Sequence, residues 1–201
     1  LRTPLGNSKW YLEVLRKESF LKKAPKNTKE YIAEIFKNNE RLLSLVRNLL
    51  SVSRIDEGKM QDTPQFIDVH LLLQEVINDL KVFAIKQKIT INFSHTPSHG
   101  PQVFIDSLKL QEVVENLITN AIKYNKPKGS VIIASVQEKK KLRLSVTDTG
   151  IGIAPEDQKK IFDKFFRSEK AIISNTEGSG LGLYVVKSYV NVWGGKVILQ
   201  S

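Results

Sequence analysis

Glu112, Asn116, Asn120 and Lys123 fall four, four and three residues apart, which puts them on one face of a helix. Two carboxamides and an ammonium on one stripe suit a phosphate-bearing ligand better than plain solvent. Carboxamide oxygen is a hard, neutral donor for Mg²⁺, a cation that keeps several waters and takes its remaining contacts from a phosphate chain. Lys123 offsets phosphate charge. Downstream, Asp148-Thr-Gly150-Ile-Gly152-Ile153 places a carboxylate, able to accept a hydrogen bond from an exocyclic amino group, beside backbone with little side chain in the way. Gly178-Ser-Gly180-Leu181-Gly182-Leu183 then opens onto an apolar, helix-like run, and a glycine-rich helix start favours phosphate. One such cluster reads as turn punctuation; two beside an asparagine stripe read as a site. Neither the P-loop pattern nor the Rossmann glycine pattern occurs, so a nucleotide would bind by another route.

These residues need elements to hold them. Asp106 is expected to cap a helix over Lys109–Tyr124, with Val113, Val114, Leu117, Ile118, Ala121 and Ile122 on its buried side. Leu142–Val146 alternates as a half-buried strand should, leaving Asp148 at its end. Ser130–Val136 precedes it as a second strand of a hairpin, and Phe66–Val69, Ile89–Phe93, Val103–Ile105 and Lys196–Leu199 read as further strands. A helix is expected from Leu71 to Lys86. The order implies a mixed sheet with helices on one face, an α/β sandwich.

Upstream the pattern is purely helical. Leu1, Leu5, Ser8, Leu12 and Leu15 alternate four- and three-residue steps, and Ile32, Ile35, Asn39, Leu42, Val46, Leu49 and Ser53 repeat that spacing after a break at Lys22–Lys26, with Asn27-Thr28 as the expected cap. Two such helices form a hairpin whose apolar stripe is too broad to bury alone. A second copy would cover it, giving a dimeric four-helix bundle. The domain reading is a hairpin over 1–57, a linker over 58–65 and an α/β domain over 66–201.

Together the motifs resemble the ATP-binding domain of sensor histidine kinases, a Bergerat-type fold shared with gyrase and the mismatch-repair clamps. Asn116-Leu-Ile-Thr-Asn120-Ala-Ile-Lys123-Tyr124 resembles the N box, Asp148–Ile153 the first glycine box, Phe162-Asp-Lys-Phe165-Phe166-Arg167 the F box, and Gly178–Leu183 the second glycine box. Leu1-Arg-Thr-Pro-Leu5 is similar to the end of the family's H box, and Arg41–Lys59 to the second helix of the dimerisation and phosphotransfer hairpin. Trp193 departs from the family's His before the paired glycines, a change expected to be structural.

The resemblance implies Mg²⁺ on Asn116, adenine read by Asp148, and nucleotide contacts from Asn120, Lys123, Tyr124, Gly150, Gly152, Ile153, Phe165, Arg167, Gly178, Gly180, Leu181, Gly182 and Leu183. Asn116 and Lys123 would serve catalysis, and Phe165–Gly178, with Ser168, Ser174, Asn175 and Thr176, would form a lid. The phosphoacceptor histidine is expected just before Leu1, with Thr3 at the position linked to dephosphorylating the partner. His70, His95 and His99 do not match that context and are expected at the surface. Glu112 resembles the water-activating acid of the superfamily's hydrolases, which keeps an ATP-hydrolysing clamp and a nucleotide-binding pseudo-kinase as rival readings.

Composition sets outer bounds. The 201 residues are 41% hydrophobic, enough for a proper core, and contain no cysteine, so disulfides and thiolate metal sites are excluded. The net charge of +10 is dispersed among acidic neighbours and lacks interleaved aromatics, which argues against nucleic acid. The expected partners are a second copy and a response-regulator receiver domain. A cytoplasmic location is expected, with any membrane anchor lying in upstream segments.

Overall fold

The structure, a computed structural model, describes residues 2–17, 21, 24–58, 61–94, 100–138, 141–174 and 178–201; side chains at 2–4, 16, 17 and 138 lie outside that description. The chain divides into two compact units, Leu1–Lys59 and Met60–Ser201. In the first, α1 (Arg2–Lys17) packs against α2 (Lys26–Asp56) as an antiparallel hairpin. Leu12 and Val52 are its buried apolar residues among those described. The Asn39 amide donates to the Leu5 carbonyl at 3.2 Å, and Lys9 pairs with Glu40 at 3.1 Å, so polar groups as well as apolar ones set the pairing of the helices. The expected Asn27-Thr28 cap is not used. Helix α2 begins one residue earlier, at Lys26, with Pro25 in the capping position and no side-chain bond there. Pro25 offers no side-chain acceptor to the first N–H groups of the helix.

The second unit carries the main core. Strands β1 (Gln65–Asp68) and β3 (Gln102–Ile105) pair antiparallel, while β2 (Thr90–Ser94), β4 (Ser130–Glu138) and β5 (Lys141–Asp148) form a mixed sheet, parallel between β2 and β4 and antiparallel between β4 and β5. Helices α3 (Val69–Lys86) and α4 (Ser107–Lys123) cover it. Leu73, Val76, Val114, Ile118, Ile122, Val131 and Ile133 are almost wholly buried in that layer. Burying each such side chain contributes about 1.5–3 kcal/mol, so the sandwich is held mainly by this contact. Two shorter helices follow, α5 (Glu169–Ser174) and α6 (Gly182–Val192), and α6 packs along α4 through Val185, Val186 and Tyr189.

The strand expected at Lys196–Leu199 does not form. Val197 and Leu199 keep the inward alternation, but the segment joins no ladder. His70 also departs from expectation. It is buried in the first turn of α3 with its ring edge-on to Phe93 at 5.7 Å, because Asp68 starts the helix two residues sooner than the apolar pattern suggests. His95 and His99 lie outside the described residues.

Candidate functional site

Helix α4 is the rail on which the site is built. Asp106 caps its start, accepting the N–H groups of Leu108 (3.1 Å) and Lys109 (3.2 Å), and Tyr124 ends it. On the polar stripe, the Asn116 amide nitrogen donates to the Glu112 carbonyl at 2.9 Å, which leaves the amide oxygen turned towards the start of α6. There a Cβ on Gly182 would come within 2.6 Å of that oxygen. Only glycine leaves the oxygen its space. Asn120 and Lys123 continue the stripe, both half-buried.

The loops close on the same helix. Asp148 stands opposite buried Val131 at the end of β5, and its Oδ1 accepts the Gly150 N–H at 2.8 Å. The Ile151 N–H donates to the Tyr124 carbonyl at 3.0 Å, and a Cβ on Gly150 would overlap that carbonyl. Gly150 therefore permits close approach of this loop to the end of α4. Gly152 has φ of +66°, and the next N–H, of Ile153, donates to Ser201 Oγ at 2.7 Å.

The F-box and second glycine segments are joined in a similar way. The Phe165 N–H donates to the Gly180 carbonyl at 3.1 Å, and a Cβ on Gly180, at φ of +68°, would meet the Phe165 backbone at 2.6 Å. Lys164 lies over the Tyr184 ring at 4.9 Å and Lys187 over Phe162 at 5.4 Å, so the segment is docked onto α6 by two cation–π contacts. A Cβ on Gly178 would sit 3.3 Å from both Tyr124 Oη and Arg167 Nε. Tyr124, Arg167 and Gly178 thus lie side by side. Leu183 lines the first turn of α6, half-buried, whereas Leu181 is 2% exposed and its N–H donates to Ser179 Oγ. The Leu181 side chain thus belongs to the core, which leaves its backbone as the part that can face the second glycine cluster.

Several residues were invisible to pattern reasoning. Tyr189, 4% exposed, donates from its hydroxyl to Glu112 Oε2 at 3.0 Å, and Trp193 stacks on Tyr189 at 5.9 Å, so the tryptophan in place of histidine extends an aromatic column. The i, i+4 spacing of Tyr189 and Trp193 was readable, but the bond from Tyr189 to Glu112 was not. Within the expected lid, residues 169–174 form α5, and the Arg167 guanidinium donates to the Ala171 carbonyl at 3.2 Å. Asn175 and Thr176 lie outside the described residues. Thr3 belongs to the first turn of α1, in the other unit, and its side chain is likewise outside them.

The arrangement suits a nucleotide whose metal arrives with its phosphates. Among the described residues no three His, Cys, Asp or Glu side chains cluster as a metal site. The donor available beside the second glycine cluster is the neutral Asn116 oxygen, which fits a cation already coordinated by phosphate and water.

Comparison with known proteins agrees. Residues 105–201 match the family model for the histidine kinase-, DNA gyrase B- and HSP90-like ATPase, and residues 1–58 match that for the His Kinase A (phospho-acceptor) domain. The sensor histidine kinase WalK of Bacillus subtilis is 32% identical over 206 residues, covering 100% of this chain and 33% of WalK. Sensor protein RprX of Bacteroides fragilis is 32% identical over 204 residues, covering 100% of this chain and 38% of that protein. The chain thus spans about a third of the length of the curated relatives it matches. Among solved structures, full-length ShkA in complex with AMPPNP superposes with a TM-score of 0.72 at 26% identity, over 96% of this chain and 39% of that one. The mycobacterial sensor histidine kinase MprB gives 0.56 at 30% identity, over 66% of this chain and 81% of that one. With both modules matched in order and the asparagine helix meeting both glycine clusters, the chain belongs to the sensor histidine kinases.

Proposed function

We propose that this chain is the core of an ATP-dependent protein-histidine kinase, which binds Mg·ATP and passes the γ-phosphoryl group to a histidine upstream of Leu1, for relay to a response-regulator aspartate. The observation that carries the reading is the convergence on α4: Asn116 meets Gly182, Tyr124 meets Gly178, and the Tyr124 carbonyl holds the loop after Asp148. Asp148 recognises the adenine amino group, and Tyr124 and Arg167 flank the entry. Asn120 and Lys123 line the phosphate path. Asn116 would hold the Mg²⁺ through its amide oxygen, and the cation would supply neutralisation of phosphate charge. The segment from Phe165 to Gly178 excludes water once nucleotide is seated. The family's ATPase module and the AMPPNP bound to ShkA support this assignment of ligand.

The hairpin over 1–57 supplies the dimer interface and the docking site for the receiver domain, 58–65 connects it, and 66–201 binds nucleotide. Thr3 would act in the reverse, dephosphorylating direction. This chemistry belongs on the cytoplasmic side, where ATP is available. The hydrolase reading is weakened by Glu112: a carboxylate accepting the Tyr189 hydroxyl is held in the α4–α6 contact instead of being poised on water.

The deciding experiment is to incubate the full-length protein with γ-labelled Mg·ATP and follow an acid-labile phosphoryl group on the upstream histidine. Label there is the expected result. Free phosphate released without label would favour the hydrolase, and stable ATP binding with neither would favour a pseudo-kinase.

A further inference from the structure

Asn125 and Thr149 have no part in the reading so far, yet they form a node between the end of α4 and the loop that follows β5. Thr149 Oγ1 donates to Asn125 Oδ1 at 3.0 Å and accepts the Ser130 N–H at 2.9 Å. The Asn125 amide nitrogen donates to the carbonyls of Ala121 and Ser130, both at 3.0 Å, and Asn125 Oδ1 also accepts the Lys126 N–H at 3.0 Å. Backbone bonds flank the node: Thr149 N–H to the Ser130 carbonyl at 3.2 Å, and Ile151 N–H to the Tyr124 carbonyl at 3.0 Å. Buried Gly129 lies against it, and a Cβ there would overlap Asn125 Oδ1 and come within 2.6 Å of Thr149 Oγ1. Room has been kept for this one arrangement.

Its position gives it a consequence for the ligand. Asp148 immediately precedes Thr149, and Tyr124 immediately precedes Asn125, so the two bonded side chains fix the neighbours of the base-reading carboxylate and of the entry tyrosine. A carboxylate discriminates an exocyclic amino group from a keto oxygen only when held in place: it accepts from the first and repels the second, and a loose one accommodates either by moving. We propose that Asn125 and Thr149 are a positioning pair that aims Asp148 and thereby sets selectivity for adenine over guanine nucleotides. This rests on the proposed assignment of Asp148 to adenine.

The test compares Mg·ATP and Mg·GTP affinities by calorimetry for the full chain, its Thr149→Val, Thr149→Ser and Asn125→Asp variants, with thermal midpoints measured alongside. Valine keeps the shape of threonine but removes both Oγ1 bonds, and aspartate sets an oxygen against the Ala121 and Ser130 carbonyls. Thr149→Val is expected to lower the ATP:GTP preference by about 3- to 10-fold, the scale of one net hydrogen bond. Asn125→Asp should do the same, and Thr149→Ser should restore the preference. A purely structural role would lower the thermal midpoint and leave the ratio unchanged, and that result overturns the proposal. So does a variant too unstable to bind either nucleotide, since the node would then hold the fold instead of aiming Asp148. An unaltered protein that does not prefer ATP to GTP overturns the adenine assignment itself, and the pair's role with it.

Discussion

In the proposed reading Asp148 has two jobs on one side chain. Its Oδ1 accepts the Gly150 N–H and so shapes the loop, while the carboxylate stays exposed and available to a base. Asparagine can perform the first job, because its amide oxygen also accepts from Gly150, but as a neutral acceptor it holds an amino group less firmly. Asp148→Asn is therefore expected to weaken ATP binding by about 10-fold or more, the scale of a hydrogen bond to a charged group, with the thermal midpoint almost unmoved. Calorimetry checks the first and a melting curve the second. Unchanged affinity would remove Asp148 from the base site. The same holds for Gly150 and Gly182: one makes way for the Tyr124 carbonyl and the other for the Asn116 oxygen, so each glycine protects a contact within the protein beside the proposed ligand site.

At the level of elements, the start of α4 shows how the rail is fixed. Asp106, 5% exposed, accepts from Leu108 and Lys109 through Oδ1 and from the Thr63 N–H (3.1 Å) and hydroxyl (3.0 Å) through Oδ2, with the Lys109 ammonium 3.4 Å away. Lys109 also reaches Asp62 and, at 2.6 Å, the Gln61 carbonyl, so the chain entering the unit is tied to the helix that carries Asn116. Burial pushes the Asp106 carboxyl up, but the donors of Thr63 and Lys109 and the Lys109 charge outweigh it and hold the group below its ordinary value. Asp68, capping α3, is lowered too: burial again opposes, and the N–H groups of Leu71, Gly100 and His70 prevail. A carboxyl lowered on folding binds its proton less readily in the native state. Its stabilisation is complete above the unfolded value of about 4 and is lost as pH falls through the folded one. The second unit is expected to keep a constant thermal midpoint from neutral pH down to about 5 and to lose stability below about 4. Asp106→Asn should flatten part of that loss, Asp68 supplying the rest; an unaltered acid slope would show that Asp106 is not a source of it.

Such a cap was legible in the sequence because it is local: an aspartate before an apolar-periodic run needs no tertiary information. The helical stripe of α4 and the alternation of β5 were legible for the same reason. The absent strand at Lys196–Leu199 was not, since alternation signals a half-buried face and says nothing of whether a neighbouring edge is free to pair. The Tyr189–Glu112 bond and the Asn125–Thr149 node span 77 and 24 residues, and neither follows from any spacing along the chain.

The whole molecule divides its labour between a unit with a deep core and a hairpin without one. Tyr31, Ile35, Leu42 and Leu49 lie along one side of α2, between 49% and 67% exposed, and Trp10 and Tyr11 of α1 are exposed to 57% and 62%. Steps of four and seven along α2 are those of a coiled-coil seam, and apolar surface of this extent on a hairpin calls for a partner helix pair. In the proposed dimer a second copy of the hairpin supplies that pair, with each stripe meeting its own equivalent. Lysine at two seam positions, Leu42→Lys with Leu49→Lys, would face its symmetry mates across the bundle and add like charge to desolvation. Sedimentation is expected to report a dimer for the unaltered protein and a monomer for the variant. ATP affinity should stay within about twofold, because surface changes far from a site leave its energetics nearly untouched and the nucleotide unit has its own core. Loss of ATP binding together with dimerisation would instead mean that the nucleotide site depends on the bundle. A dimer that survives both lysines would place the interface on another face of the hairpin, and Trp10 and Tyr11 would be the residues to change next.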